Sequence, residues 1–290
     1  MEFAISRLPL CTTGYAPGRW LVPCGSCYDR QSCYWPKAVW QPYDCRYMDL
    51  NKKNIQACLA GRTILFQGDS ILRGIFDYMH GALKLKKGTG NASGQHIYVT
   101  TSNKGKKVAM QYSRILAYEE DDVVDIPRYF NSEFDKLLST GGKIENTKNT
   151  IFALGGAYWM QPAIYKWFMG RLDNAGLTNV TVVIKMDNAA LHHPQIKTPS
   201  LWDPVRHLKR NLAVAHIIES EKQRSQNVKL VNPINITMPM FQGFHDGGFC
   251  SCHFHKYHLN ATYAVDGHVQ KMYIKPFFHT LCLGETDRRS

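Results

Sequence analysis

The tripeptide Gly68-Asp69-Ser70 stands between a short apolar run and a helical pattern. A serine at a helix start on a sheet edge is exposed, and free backbone N–H groups beside it can hold an oxyanion. Asp and Ser also cap helices routinely, so the tripeptide carries chemistry only if a base supports it. A serine nucleophile needs a histidine to take its proton and a group to orient that histidine. The stretch 245–268 offers His245, Asp246, His253, His255, His258, Asp266 and His268. His253 is the expected base and His255 the runner-up; two residues apart in an extended loop, they point to the same side. A disulfide at the adjacent Cys252 would hold the His253 ring in place. Asp246 is the nearest upstream carboxylate that could orient it. His268 is a weaker rival, at the predicted start of the last helix.

Other ligand-like patterns read as structural. Cys250-Ser-Cys252-His253-Phe-His255 offers thiolates and imidazoles, but its spacing fits no common zinc template. Cys24-Gly-Ser-Cys27 lacks the preceding strand and following helix of a thioredoxin-type redox site. No metal or cofactor is expected.

These residues need elements to hold them. Thr63–Gln67, bounded by Gly61 and Gly68, suits a buried strand, and a helical period runs from Ser70 to about Leu85. His96–Thr100 and Val108–Tyr112 are β-like. Thr150–Leu154 and Val180–Met186 read as buried strands, with Gly155-Gly156 and a helix through about Leu172 between them. Pro204 opens a helix to about Arg224, Val228–Val231 is a fourth strand, and Val269–Leu283 is a closing helix. Strands alternating with helices imply a mostly parallel sheet covered on both faces. Ligands then sit at the carboxyl ends of the strands, which puts Gly68-Asp69-Ser70, Gly155-Gly156, Asp187-Asn188 and the 237–260 loop along one edge. Residues 1–60 form a Cys- and Trp-rich segment with little periodicity, expected to pack on an α/β domain at 61–290.

The chain of 290 residues is 44% hydrophobic and 12% aromatic, too apolar for a disordered chain. A net charge of +12 favours acidic partners. Nucleic acid is not expected, because no helix clusters Lys and Arg and no zinc-finger spacing occurs. The most apolar window, 150–170, is broken by Gly155-Gly156, Gln161, Pro162 and Lys166, so no membrane span is expected. The first residues lack the regions of a signal peptide, so the chain is either cytosolic or a piece of a longer precursor. The nine cysteines decide for the second: six lie at 11–58, three at 250–282, and none between. That distribution predicts disulfides tying the N-terminal cluster together and joining it to the Cys250/Cys252 loop around an uncrosslinked core. Four Asn-x-Ser/Thr sequons, at Asn91, Asn179, Asn235 and Asn260, agree with a location in the secretory lumen or outside the cell.

The order Cys24-Gly-Ser-Cys27-Tyr-Asp-Arg-Gln-Ser-Cys33, Trp35-Pro36, Trp40, Cys45, Cys58-Leu-Ala-Gly-Arg and Gly68-Asp-Ser-Ile-Leu-Arg73 resembles the PC-esterase domain. That domain is a branch of the GDS-type (SGNH) hydrolase superfamily. The likeness is greatest to cadherin-like and PC-esterase domain-containing proteins, then to the neurexophilin and PC-esterase domain family. Ile151-Phe-Ala-Leu-Gly-Gly156 with Tyr158-Trp159, Val183-Ile-Lys185, Cys250-Ser-Cys-His-Phe-His255 and Cys282 extend it over about 20–283. The resemblance implies a flavodoxin-like α/β/α three-layer sandwich, a secretory location and acyl-ester chemistry on glycans, with Ser70 at the nucleophile position. The chain departs from the superfamily pattern in two places. Gly155-Gly-Ala-Tyr158 replaces the Gly-x-Asn-Asp block, and the usual Asp-x-x-His block is missing as such from the C-terminal stretch, where Asp246 lies seven residues before His253 and Asp266 two before His268.

The expected function is therefore an O-acetylesterase or O-acetyltransferase, with Ser70 attacking an acetyl carbonyl. The N–H groups of Ser70 and of Gly155 or Gly156 would hold the oxyanion, and Arg73 and Tyr158 complete the substrate-binding candidates. The partner is an acetylated or acceptor glycan, and the basic surface suits an acidic one; the acyl donor stays open. The alternative is an interaction module that keeps the fold without the triad.

Overall fold

Apolar runs too short for helices, bounded by glycine, build the sheet, and longer runs of helical period cover it. The computed structural model describes residues 6–26, 28–34, 37–83, 86–90, 96–103, 106–114, 126–139, 143–156, 160–189, 204–221, 227–243 and 267–283. Strands are β1 (Gly18–Leu21), β2 (Val39–Pro42), β3 (Thr63–Gly68), β4 (Lys86–Gly90), β5 (His96–Asn103), β6 (Lys106–Arg114), β7 (Thr150–Gly155), β8 (Thr181–Lys185) and β9 (Val228–Val231). Helices are α1 (Lys52–Leu59), α2 (Ser70–Leu83), α3 (Ile126–Ser139), α4 (Pro162–Asn174), α5 (Pro204–Ser220), α6 (Ile234–Thr237) and α7 (His268–Cys282).

The main sheet has the order β4-β5-β6-β3-β7-β8-β9. Its last five strands are parallel, and β4 and β5 extend it antiparallel. The parallel part runs second-first-third-fourth-fifth, the flavodoxin-like order, so the expected α/β/α sandwich is what the chain forms. Alternation along β3 feeds two cores. Ile64 and Phe66 join Ile71, Ile75 and Phe76 of α2 and Tyr273, Phe277 and Phe278 of α7 on one face. Leu65 joins Phe130 and Phe134 of α3 and Phe168 of α4 on the other. Strands buried on both faces read as unbroken apolar runs, which is why β3, β7 and β8 were legible.

The N-terminal segment is more regular than its sequence predicts. A β1–β2 hairpin and the helix α1 lie in it, and Trp40, Tyr47, Ile55 and Leu59 enter the same core as α2 and α7. Asn51 caps α1 through its side-chain oxygen, which accepts from Asn54 N–H at 2.8 Å. Two disulfides tie this segment internally, Cys11–Cys45 and Cys24–Cys33. A third, Cys58–Cys282, joins α1 to the last turn of α7. The expected link to Cys250 and Cys252, and Cys27 itself, lie outside the described residues. His279 of α7 adds a latch. Its Nε2 meets the Cys11 carbonyl at 2.6 Å, and its Nδ1 accepts from Met48 N–H at 3.3 Å.

Candidate active site at the carboxyl edge of the sheet

In an open parallel sheet the ligand crevice opens where the strand order reverses. Here that point lies between β3 and β7. The register sets Gly68 beside Gly155, and Gly155 beside Lys185. Both glycines are required by close approach. A Cβ on Gly68 would run into the Gly155 carbonyl, and one on Gly155 into the Lys185 carbonyl.

Directly after Gly68, the chain turns into α2. Asp69 takes the capping role: its Oδ1 accepts from Ile71 N–H at 2.8 Å, and its backbone carbonyl accepts from Arg73 N–H at 3.0 Å. Ser70 is therefore the first residue of the helix, half-buried at the edge. There the positive end of the α2 dipole favours negative charge developing beside it. Arg73, one turn on, is held by Asp77, with Nε donating to Oδ2 at 2.8 Å, and its side chain is only 12% exposed. Its guanidinium carbon lies 6.0 Å from the Phe76 ring.

Across the crevice, Gly156 presents its carbonyl to Lys185. The Lys185 Nζ donates to Gly156 O at 2.7 Å and to Met186 O at 3.0 Å. This lysine ends β8 and is fully buried, 5.8 Å from the Tyr273 ring centroid. Burial pulls its ammonium down to about 8, against the opposing pull of Asp69 and Asp187.

The turn after β8 is strapped from the other face. Asp187 Oδ1 accepts from Met160 N–H at 3.2 Å, and its Oδ2 lies 3.5 Å from His207 Nδ1, both side chains wholly buried. Asn211 brackets the same residue: its Oδ1 accepts from Asp187 N–H at 3.0 Å and its Nδ2 donates to Asp187 O at 3.0 Å. Ala189 N–H donates to Thr237 Oγ1 at 2.9 Å.

The helix α7 runs antiparallel to β3. Cys282 at its end bonds to Cys58, Phe277 stacks on Phe66, and Gln270 fills the space over Gly74 of α2. Its first residue, His268, thus comes to the edge where α2 begins. The His268 imidazole donates to the Ala38 carbonyl and lies 6.0 Å from the Trp20 ring; burial pushes its pKa below the ordinary histidine range. Its Nε2 is buried with no hydrogen-bond partner among the described residues. A neutral ring with one nitrogen anchored and the other unshared has the form a general base needs.

The structure brings Ser70, Gly155 and Gly156 to one edge, with Arg73 one turn into α2; His268, the rival base, opens α7 against Trp20 and Ala38 of the N-terminal segment. His253, His255, Asp246 and Tyr158 lie outside the described residues. Lys185 was missed as a site residue. At the end of an apolar strand it read as the polar residue where the strand leaves the core, and the carboxylate that faces it from α2 is more than a hundred residues away. The pairing of Cys24 with Cys33 agrees with a structural reading of that segment. A cleft of about 700 Å³ follows the outer edge of β9, lined by Thr13, Asn232, Lys229 and Leu283, three strands from β3.

A family model matches residues 40–207, described as NXPE family member 4-like, C-terminal domain. The match covers more than half of the chain. It takes in Ser70, the glycine pair and Lys185 and stops before the histidine-rich stretch at 245–268. It falls to the second of the two PC-esterase groups that the sequence resembles. The chain belongs to the NXPE family.

Proposed function

We propose that this chain is a serine-dependent acyl-ester enzyme of the secretory pathway, an O-acetylesterase or O-acetyltransferase acting on glycans. The observation that carries the reading is the position of Ser70: first residue of α2, at the topological switch point, half-buried, with the helix cap supplied by its neighbour Asp69. Ser70 Oγ attacks the acetyl carbonyl carbon as a histidine takes its proton. The oxyanion that forms is held by N–H groups of the Ser70 turn and of Gly155 or Gly156. The histidine returns the proton to the departing sugar oxygen, leaving acetyl on Ser70. Water or an acceptor hydroxyl then removes the acetyl. His253, with Asp246 to orient it, remains the base of this reading, and His255 its substitute. His268, whose Nε2 is buried without a hydrogen-bond partner among the described residues, is the competitor to test first.

Three disulfides among the described residues favour an oxidising compartment. Among those residues, no helix is long and apolar enough to cross a membrane. The surplus of basic residues suits an acidic glycan.

The test is mass spectrometry of the intact chain after brief incubation with an isotopically labelled aryl acetate. Acetyl on the peptide carrying Ser70, absent in Ser70→Ala, is the expected result. No acetyl on Ser70, with the folded protein still binding glycans, would replace the enzyme with the interaction module. Single substitutions of His253, His255 and His268 by alanine then identify the base by which one stops acetylation.

A further inference from the structure

Gly68 and Gly155 let β3 and β7 approach so closely that no side chain of either residue packs between their ends. Something else must fix the spacing of the two turns that follow. We propose that Lys185 is the positioning residue of this site: one buried ammonium, on the third strand of the row, clamps the glycine turn after β7 and faces Asp69, the cap of the helix that carries Ser70. The inference rests on the reading of Ser70 as nucleophile.

Four observations support it. Lys185 is wholly buried, where a methionine of similar volume would carry no desolvation penalty, so the charge itself has a use. Its Nζ spends two N–H groups on carbonyls of the two turns, Gly156 O and Met186 O. The carboxylates that act on it, Asp69 and Asp187, come from the turns on either side. Tyr273 closes the remaining side from α7 with its ring. One cation is thus common to the nucleophile turn, the glycine turn and the turn after β8. Removing it frees the Gly156 and Met186 carbonyls and takes from Asp69 and Asp187 the positive charge that acts on both, so the oxyanion donors and Ser70 lose their fixed separation.

The experiment uses the full chain made in a secretory host, and an alkyl fluorophosphonate as probe of Ser70. Labelling is located by peptide mass spectrometry and folding is followed by near-UV circular dichroism. Lys185→Met is expected to lower the labelling rate about tenfold or more at pH 7, in protein that remains folded. Lys185→Arg is expected to recover part of the rate. The groups facing Lys185 are Asp69, Asp187 and Tyr273. Burial pushes the phenol far up, so it stays neutral throughout the working range. The wild-type rate should therefore fall as pH rises through about 8, where Lys185 sheds its charge. Lys185→Arg should carry labelling to higher pH, because guanidinium stays charged. A Lys185→Met rate within about twofold of wild type overturns the proposal. Should that variant not fold, a wild-type rate that stays level from about pH 7 to 10, or an alkaline fall that Lys185→Arg leaves in place, overturns it instead. Failure of wild-type Ser70 to react at all removes the serine reading itself, a result distinct from indifference to Lys185.

Discussion

The two ends of α7 meet the sheet in opposite ways. At its last turn the free carbonyls are met by cations. The Lys229 Nζ donates to Leu283 O at 2.6 Å and Thr280 O at 3.4 Å, Arg62 donates to Leu281 O, and Cys282 is bonded to Cys58. Cations on the free carbonyls of a helix end, locked by a disulfide, are a structural solution. At its first turns two polar groups are buried without a hydrogen-bond partner among the described residues: His268 Nε2, beside Trp20, and the Gln270 amide, packed over Gly74 of α2. A lysine stands near each end. Burial, helped by the like charge of Arg62, draws the half-buried Lys229 down to about 8; burial draws Lys185 down to about 8 as well, against two carboxylates that oppose it. Cations on carbonyls and a disulfide hold the fold at one end; the unmet groups at the other are the ones that call for an explanation.

The sharpest way to break this comparison is Ser70→Ala. It should remove aryl-acetate turnover by a factor of about 10³ or more while moving the unfolding free energy by less than about 1 kcal/mol. A large loss of stability would mean that the open end is structural after all. Next in size is the paired substitution Cys58→Ser and Cys282→Ser. Releasing a crosslink across 224 residues should cost about 3–5 kcal/mol, read from urea midpoints, and leave acetylation of Ser70 intact in the protein that stays folded.

Lys229→Met should cost about 1–2 kcal/mol at pH 7, from carbonyls left without their cation, and should not change labelling of Ser70. Its pH signature is more telling. Because the folded pKa lies below the ordinary 10.5, the unfolded chain keeps a proton that the folded chain has shed. Wild-type stability therefore rises between about pH 8 and 10.5, and Lys229→Met should remove its share of that rise and leave the share of Lys185. Over the same interval Ser70 should lose reactivity as Lys185 discharges, so stability and reactivity move in opposite directions.

The smallest effect belongs to His279. Burial holds its pKa below the usual 6.5, so below that pH the unfolded chain takes up a proton that the folded chain refuses. Stability should fall by about 1 kcal/mol on going from pH 7 to 5, and His279→Gln should lose this acid sensitivity. Equilibrium unfolding at the two pH values gives the answer.

The residues themselves explain what was legible. Thr63–Gln67 and Thr150–Leu154 are strands within a residue or so of their expected bounds, because a strand buried on both faces must be continuously apolar; the half-buried edge strand Val228–Val231 was legible from its β-branched residues. Ser70, Gly155 and Gly156 were found because strand–turn–helix order fixes what lies at a carboxyl edge. The helix α3 was overlooked despite its signal: Ile126, Phe130, Phe134 and Leu137 recur at helical spacing. The helix α1 is only eight residues long and polar on most of its surface, so little period showed. Lys185 was legible only as a strand end. Its burial depends on partners from α2 and α7, and no local pattern encodes those.

The Cys58–Cys282 bond also orders events during synthesis. Every strand of the sheet leaves the ribosome before α7, which supplies Tyr273, Phe277 and Phe278 to one whole face and His268 to the crevice. Until α7 docks, Phe66 and Phe76 have no cover from that side and the crevice lacks one wall. A chain interrupted shortly after β9 would hold the nucleophile turn and most of the sheet, yet expose a bare apolar face for chaperones to recognise. Pairing of Cys58 with Cys282, in which the two thiols give up two electrons and two protons to an external disulfide oxidant, then marks completion: it joins the two sulfurs in their native geometry once the last helix has reached its place, so the covalent seal and the finished crevice arrive together.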